Sequence, residues 1–336
     1  MRKFRVKQLA LLVFILALTG ALLTACGDGG AGAAGTVTKL KIADITTNIT
    51  FRVAKEKGFF EKNGIDAELI TFATPAEGVN SLFIKQVDIA FGADFPLLNA
   101  VSKGEYSIFA SSGTATDLSA SDWKLFVRDE IASGADLKGK KLSFLRGTFL
   151  PYLWDLYLTD NGLTLKDAEL IGQGGLDEAY VALKKGEIDG VWVYNAVNHE
   201  KFGALEGVHE ISDMSKTSLR LGQGLIASDE LIDGKKDVLV GFLKALDEAS
   251  TYAQAHPDET ADIMYDAVKQ PKEATLKDLP KNPWKIGFTE KAYEGLKGQK
   301  QYMVETGIIE KDFDLIGKLR LDVAREAFPD RVIEPE

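Results

Sequence analysis

Cysteine is nearly absent from this 336-residue chain: there is one, Cys26. That excludes an internal disulfide and any metal cluster built on thiolates. Histidine is scarce as well. His199, His209 and His256 form no motif-like pair, which argues against a His-rich metal centre. There is one apolar run, and the mean hydropathy of −0.05 excludes a polytopic membrane protein. Positive charge is in deficit, with 40 Lys and Arg against 50 Asp and Glu, a net −10. Four of the cations lie in the first eight residues, so the rest of the chain stands at −14, the wrong sign for a nucleic-acid binder. No Gly-x-Ser-x-Gly, P-loop or His-Glu-x-x-His occurs. The expectation is a chain without cofactor, metal site, nucleic-acid partner or enzymatic activity.

What is present begins with an address. Arg2, Lys3, Arg5 and Lys7 precede an apolar stretch over 9–23. Fifteen helical residues span roughly 22 Å, short of the roughly 30 Å hydrocarbon core, so the segment reads as an export signal over 1–25. Leu23-Thr24-Ala25-Cys26 resembles the bacterial lipobox, which implies lipidation at Cys26. A Gly- and Ala-rich tether follows to residue 37. The expected location is the extracytoplasmic face of a cell membrane, reached through a lipid anchor.

The body alternates strand and helix patterns. Strands are expected at Leu40–Ala43, Asp66–Phe72, Asp88–Phe91, Tyr106–Ala110, Lys124–Val127, Lys141–Leu145, Glu169–Ile171 and Gly190–Val193, with helices between most of them. Thr74-Pro75-Ala76-Glu77 is a helix start: Thr as N-cap, Pro at N1, Glu at N3. The alternation predicts an α/β fold with mostly parallel sheets. From Val238 to about Ala327 the pattern is helical, broken near Pro257, Pro271, Pro280 and Pro283. Residues 82–90 and 183–191 echo each other at an offset of 101: a helix ends on Leu, and six residues later an Asp opens an apolar strand. The echo suggests two lobes of similar construction.

Five stretches in order resemble one family: Val53–Ile65, Gln86–Ala90, Asp136–Leu142, Gly186–Val191 and Ala255–Ala261. They are similar to the substrate-binding proteins of ABC importers, in the sulfonate/nitrate/taurine branch that includes thiamine-pyrimidine binders. The resemblance implies a two-lobed type II periplasmic-binding-protein fold, each lobe a mostly parallel sheet flanked by helices. Lobe one would comprise 38–118 and 222–336, and lobe two 119–221, with crossings near 113–122 and 215–223. A monomer would capture a small solute between the lobes and present it to a membrane permease.

Ligands in open α/β sheets sit beyond the carboxyl ends of strands. That rule nominates Asn48, Thr50, Thr74, Asp94, Phe95, Ser112, Gly113, Arg146, Gly147, Thr148, Phe149, Tyr194 and Asn195 as ligand contacts. Arg146-Gly147-Thr148 stands where the resembled family typically has Pro-Gly-Ser. There a guanidinium and a helix N-terminus would favour an oxyanion, unless Thr148 merely caps and Arg146 is solvated. Thr74 is explained by capping alone, and Asp94 either caps a helix or meets a ligand amine. Trp123 and Phe149 lie nearest the expected cleft edge among the aromatics. The expected solute is an organic sulfonate or related oxyanion. Two alternatives are a neutral or aromatic solute such as a pyrimidine vitamin precursor and, in another class, a pyrimidine-synthase-like enzyme. A sensor role alongside transport stays open.

Overall fold

The computed structural model describes residues 37–335. The export signal, Cys26 and the tether up to Thr36 lie outside them. The first sheet is laid down by β1 (Thr38–Asp44), α1 (Ile49–Glu56), α2 (Phe59–Lys62), β2 (Ile65–Thr71), α3 (Pro75–Ser81), β3 (Ile89–Ala93), α4 (Asp94–Val101) and β4 (Tyr106–Ser111). A connection containing α5 (Asp117–Ala120) leads to the second sheet. Its elements are β5 (Lys124–Arg128), β6 (Lys141–Leu145), α6 (Leu150–Asp160), β7 (Glu169–Gln173), α7 (Leu176–Lys185), β8 (Gly190–Val193), α8 (Ala196–Gly203) and β9 (Val208–Asp213). The chain then returns through β10 (Gln223–Ser228) to the first sheet. Helices α9 (Asp229–Gly234), α10 (Lys236–Ala255), α11 (Pro257–Val268), α12 (Lys272–Asp278), α13 (Glu290–Glu305) and α14 (Asp322–Ala327) complete it.

The strand orders are β2-β1-β3-β10-β4 and β7-β6-β8-β5-β9, the same order twice. In each sheet four strands run one way and one runs against them: β10 is antiparallel to β3 and β4, and β5 to β8 and β9. The two reversed strands are those the chain enters on crossing between sheets. The eight anticipated strands are all present, within two residues at each end. β9 and β10 were not anticipated. β9 mixes His, Glu, Ser and Asp with its apolar residues and is at best half-buried, while β10 opens on Gln223-Gly224.

Proline and glycine punctuate as their chemistry requires. Pro257 opens α11 at its first turn, and Gly58 takes φ +70° directly after the Lys57 cap of α1. The core between the first sheet and its helices is aromatic. Phe51 lies edge-on to Phe91 at 5.3 Å, and Phe60 stacks on Phe242 of α10 at 5.7 Å. In the second sheet, Trp154 of α6 lies 5.5 Å from Trp192 of β8 and donates its indole N–H to the Ser143 carbonyl at 2.8 Å. These cores hold the strand ends, and the loops that leave them, in fixed positions.

Candidate ligand-binding site

A cavity of ≈170 Å³ is lined by loops from both sheets and by the segment after α12. The N-cap residues of four helices all line it: Asn48 for α1, Thr74 for α3, Phe149 for α6 and Asn195 for α8. Asn48 Oδ1 accepts the Phe51 N–H at 3.1 Å, and Thr74 Oγ1 accepts the Glu77 N–H at 3.2 Å. Asn195 has φ +67°, and its Oδ1 accepts the Asn198 N–H at 3.0 Å. Thr148 donates its hydroxyl to the Leu145 carbonyl at 2.6 Å. Capping accounts for one atom of Asn48 only: its Nδ2 is buried with no hydrogen-bond partner.

Two aromatic groups face this space. Trp123 meets Phe149 edge-on at 4.9 Å and Tyr194 at 4.7 Å. In the second group, Trp284 lies 5.8 Å from Phe91. Burial pushes the Tyr194 phenol up to about 12, so it stays neutral. No Lys, Arg or His is among the lining residues, but Asp122 and Asp278 are. Asp122 is paired with Lys281 Nζ at 2.6 Å through Oδ1, and its Oδ2 accepts the Asn195 N–H at 3.2 Å. Asp278 Oδ1 accepts the Ala196 N–H at 2.7 Å. Burial above all pushes the Asp278 carboxyl up to about 6; the Ala196 N–H opposes the shift, and the neighbouring Asp122 adds to it. Thr74, Tyr194 and Asn195 also border a wider groove of ≈780 Å³ that includes Gly174 and Gly175.

Of the residues expected from the sequence, the cavity gathers Asn48, Thr50, Thr74, Thr148, Phe149, Tyr194 and Asn195. Six others are not among its lining residues. Arg146 is exposed one pleat beyond Leu145, with Nε 3.1 Å from where a Cβ on Gly172 of β7 would sit. Gly147 supplies the φ +75° of that turn. Asp94 is buried, and its Oδ2 accepts the Gly222 N–H at 3.0 Å and the Gln299 Nε2–H at 2.9 Å, bracing the return crossing. Phe95 is buried in the core beside it. Ser112 donates its hydroxyl to the Gln223 carbonyl at 3.2 Å, and Gly113 passes so close to Lys285 that a Cβ would lie 2.7 Å from its carbonyl.

The residues that sequence reasoning missed have two origins. β5 and β10 are reversed, so their amino ends, not their carboxyl ends, reach the cleft. That is how Asp122, Leu221 and Gln223 enter the lining, with Trp123 beside them. Asp278, Asn282 and Trp284 come from a stretch whose only sequence signal was a pair of prolines.

Two sheets of one strand order, joined by two crossings and enclosing a small aromatic cavity, define the type II periplasmic-binding-protein fold. The alkanesulfonate-binding protein SsuA from Xanthomonas axonopodis pv. citri, solved bound to MOPS, shares it. Its TM-score is 0.74 at 14% identity, over 84% of this chain and 98% of that one. Residues 46–260 match the family described as NMT1/THI5 like, and the chain belongs to that family. A putative thiamine biosynthesis protein of Haemophilus influenzae is 30% identical over 62% of this chain and 65% of its own length, just under two thirds. A putative binding protein of Brucella abortus is 26% identical over 72% of this chain and 74% of its own. Among the described residues, no helix is long and apolar enough to cross a membrane.

Proposed function

We propose that this chain is the solute-binding component of an ABC importer and that its solute is a small planar aromatic molecule. The cavity carries the reading: ≈170 Å³ lined by Trp123, Phe149 and Tyr194 from the second sheet's side of the chain and by Phe91 and Trp284. A cavity of about 150 Å³ takes up benzene, so this one fits a single ring with small substituents. The Brucella abortus relative named a putative binding protein supports binding over turnover. Lobe one (38–118 and 222–336) and lobe two (119–221) would close on the solute by bending at the crossings.

An organic sulfonate is the second reading. The ends of four helices at the cavity favour it, since free helix-end N–H groups attract anions. Two aspartates and the missing basic residue weigh against it, and Asp122 and Asp278 already occupy the N-terminus of α8. The thiamine-biosynthesis relative accords with a pyrimidine. Thermal-shift measurements with aminopyrimidines, uracil, taurine and alkanesulfonates test the choice. Stabilisation should be about 2.7 kcal/mol at one hundred times the dissociation constant. Shifts with pyrimidines support the reading, and shifts confined to sulfonates overturn it.

Lipidation at Cys26 is part of the same proposal, supported by the lipobox-like run before it. Membrane fractionation of wild type and Cys26→Ala tests it: the variant should leave the membrane fraction. Unchanged retention, with no lipid on wild-type Cys26 by mass spectrometry, contradicts it.

A further inference from the structure

The family match ends at residue 260, yet Asp278, Asn282 and Trp284 line the cavity. Asp278 is 6% exposed. One of its oxygens takes the Ala196 N–H, and the other has no hydrogen-bond partner among the described residues. Asp122 differs: both of its oxygens are engaged, by Lys281 and by the Asn195 N–H.

Asn48 is 7% exposed, and its orientation is fixed because Oδ1 accepts the Phe51 N–H. Its Nδ2 is left as a buried donor with no partner, on the same cavity. An unmet buried polar group is costly, and a ligand that answers it removes the cost. The residues lining the cavity thus include an unpaired acceptor oxygen on Asp278 and an unpaired donor on Asn48. Asp122 and Asp278 are the charged residues of the lining itself, with Lys281 and Lys277 near them but outside it.

We propose that Asp278 is a specificity-determining residue that selects solutes whose ring bears a cationic or amino nitrogen, while Asn48 Nδ2–H donates to an acceptor on the same solute. This rests on the planar-ring reading above and adds the sign of charge the site selects. Asp278 would do so by accepting a charge-assisted hydrogen bond in a largely water-excluded space.

Three probes share one ring and differ in charge: benzamidine (cationic at neutral pH), benzamide (neutral) and benzenesulfonate (anionic). Their dissociation constants for the full chain are measured by calorimetry at pH 7.5. Benzamidine should bind at least about tenfold more tightly than benzamide, and benzenesulfonate weakest. Asp278→Asn keeps an oxygen for the Ala196 N–H and should bring the benzamidine and benzamide constants to within about threefold of each other. Benzamide or benzenesulfonate binding wild type as tightly as benzamidine overturns the inference and leaves the planar-ring reading intact. An unchanged preference in a folded Asp278→Asn protein also overturns it. Failure of all three probes to bind contradicts the planar-ring reading itself. Should Asp278→Asn not fold, the wild-type ranking still decides.

Discussion

Asp189 does in the second sheet what Asp88 does in the first. Asp88 Oδ2 accepts the Lys41 N–H at 2.7 Å, and the Asp88 N–H donates to the Lys41 carbonyl at 2.8 Å. Asp189 Oδ2 accepts the Lys141 N–H at 2.8 Å, and its own N–H donates to the Lys141 carbonyl at 2.7 Å. Each aspartate fastens the start of an inner strand to its parallel neighbour, so both sheets are built from one unit used twice.

The repeat exposes a mismatch. Gly186 turns the second unit at φ +73°, and Lys85 makes the equivalent turn at φ +56°. A side chain in the left-handed region costs about 1–2 kcal/mol, part of which glycine returns as unfolded-chain entropy. Lys85→Gly should therefore stabilise the chain by about 0.5–1 kcal/mol. Urea denaturation of both proteins measures it, and an unchanged or lower midpoint contradicts it.

Arg146 stands over β7, away from the cavity. Arg146→Ala should leave the dissociation constant of any solute that binds in the cavity within twofold of wild type. A loss of tenfold or more by calorimetry would mean that the guanidinium swings into the cleft on binding and would restore the oxyanion reading.

Trp123 carries the wall shared with Phe149 and Tyr194. Trp123→Ala removes ring stacking worth about 0.5–1.5 kcal/mol together with apolar contact area. An aromatic solute should then bind at least about tenfold more weakly, with far-ultraviolet circular dichroism unchanged. Equal affinity in a folded variant contradicts the aromatic wall.

Burial pushes the Asp94 carboxyl up to about 7, against the opposing Gly222 N–H and Gln299 amide. The folded chain thus holds a proton that the unfolded chain releases above about 4. Its contribution to stability is complete below about pH 4 and is lost as the pH rises through 7. Asp44, also pushed up to about 7 by burial against the opposing Arg52, acts with the same sign. Asp94→Asn should lose part of the rise in melting temperature that wild type shows between pH 8 and pH 6. Parallel melting curves for the two proteins across that range contradict it.

Much of this was legible in the sequence. Thr74-Pro75-Ala76-Glu77 caps as read, because an N-cap is a local device. The echo at offset 101 marks a physical repeat, because the same turn must deliver the same aspartate to a strand start. The cleft was half legible. Parallel strands deliver residues after them, as with Thr148 after β6 and Tyr194 after β8, and those lie on the cavity. Strand direction is a tertiary property, so nothing local told that Asp122 before β5 would reach it. Asp94 and Arg146 stayed open in the sequence because a polar residue after a strand looks the same whether it faces a cleft, a crossing or solvent.

Calorimetric titration of the chain with a 4-aminopyrimidine and, separately, with taurine and an alkanesulfonate decides whether the cavity takes a planar aromatic solute. The pyrimidine should bind with a negative heat-capacity change, from ring burial against the aromatic lining, and the sulfonates should give no saturable heat. Saturable sulfonate binding together with silence from the pyrimidine would contradict the planar-ring reading.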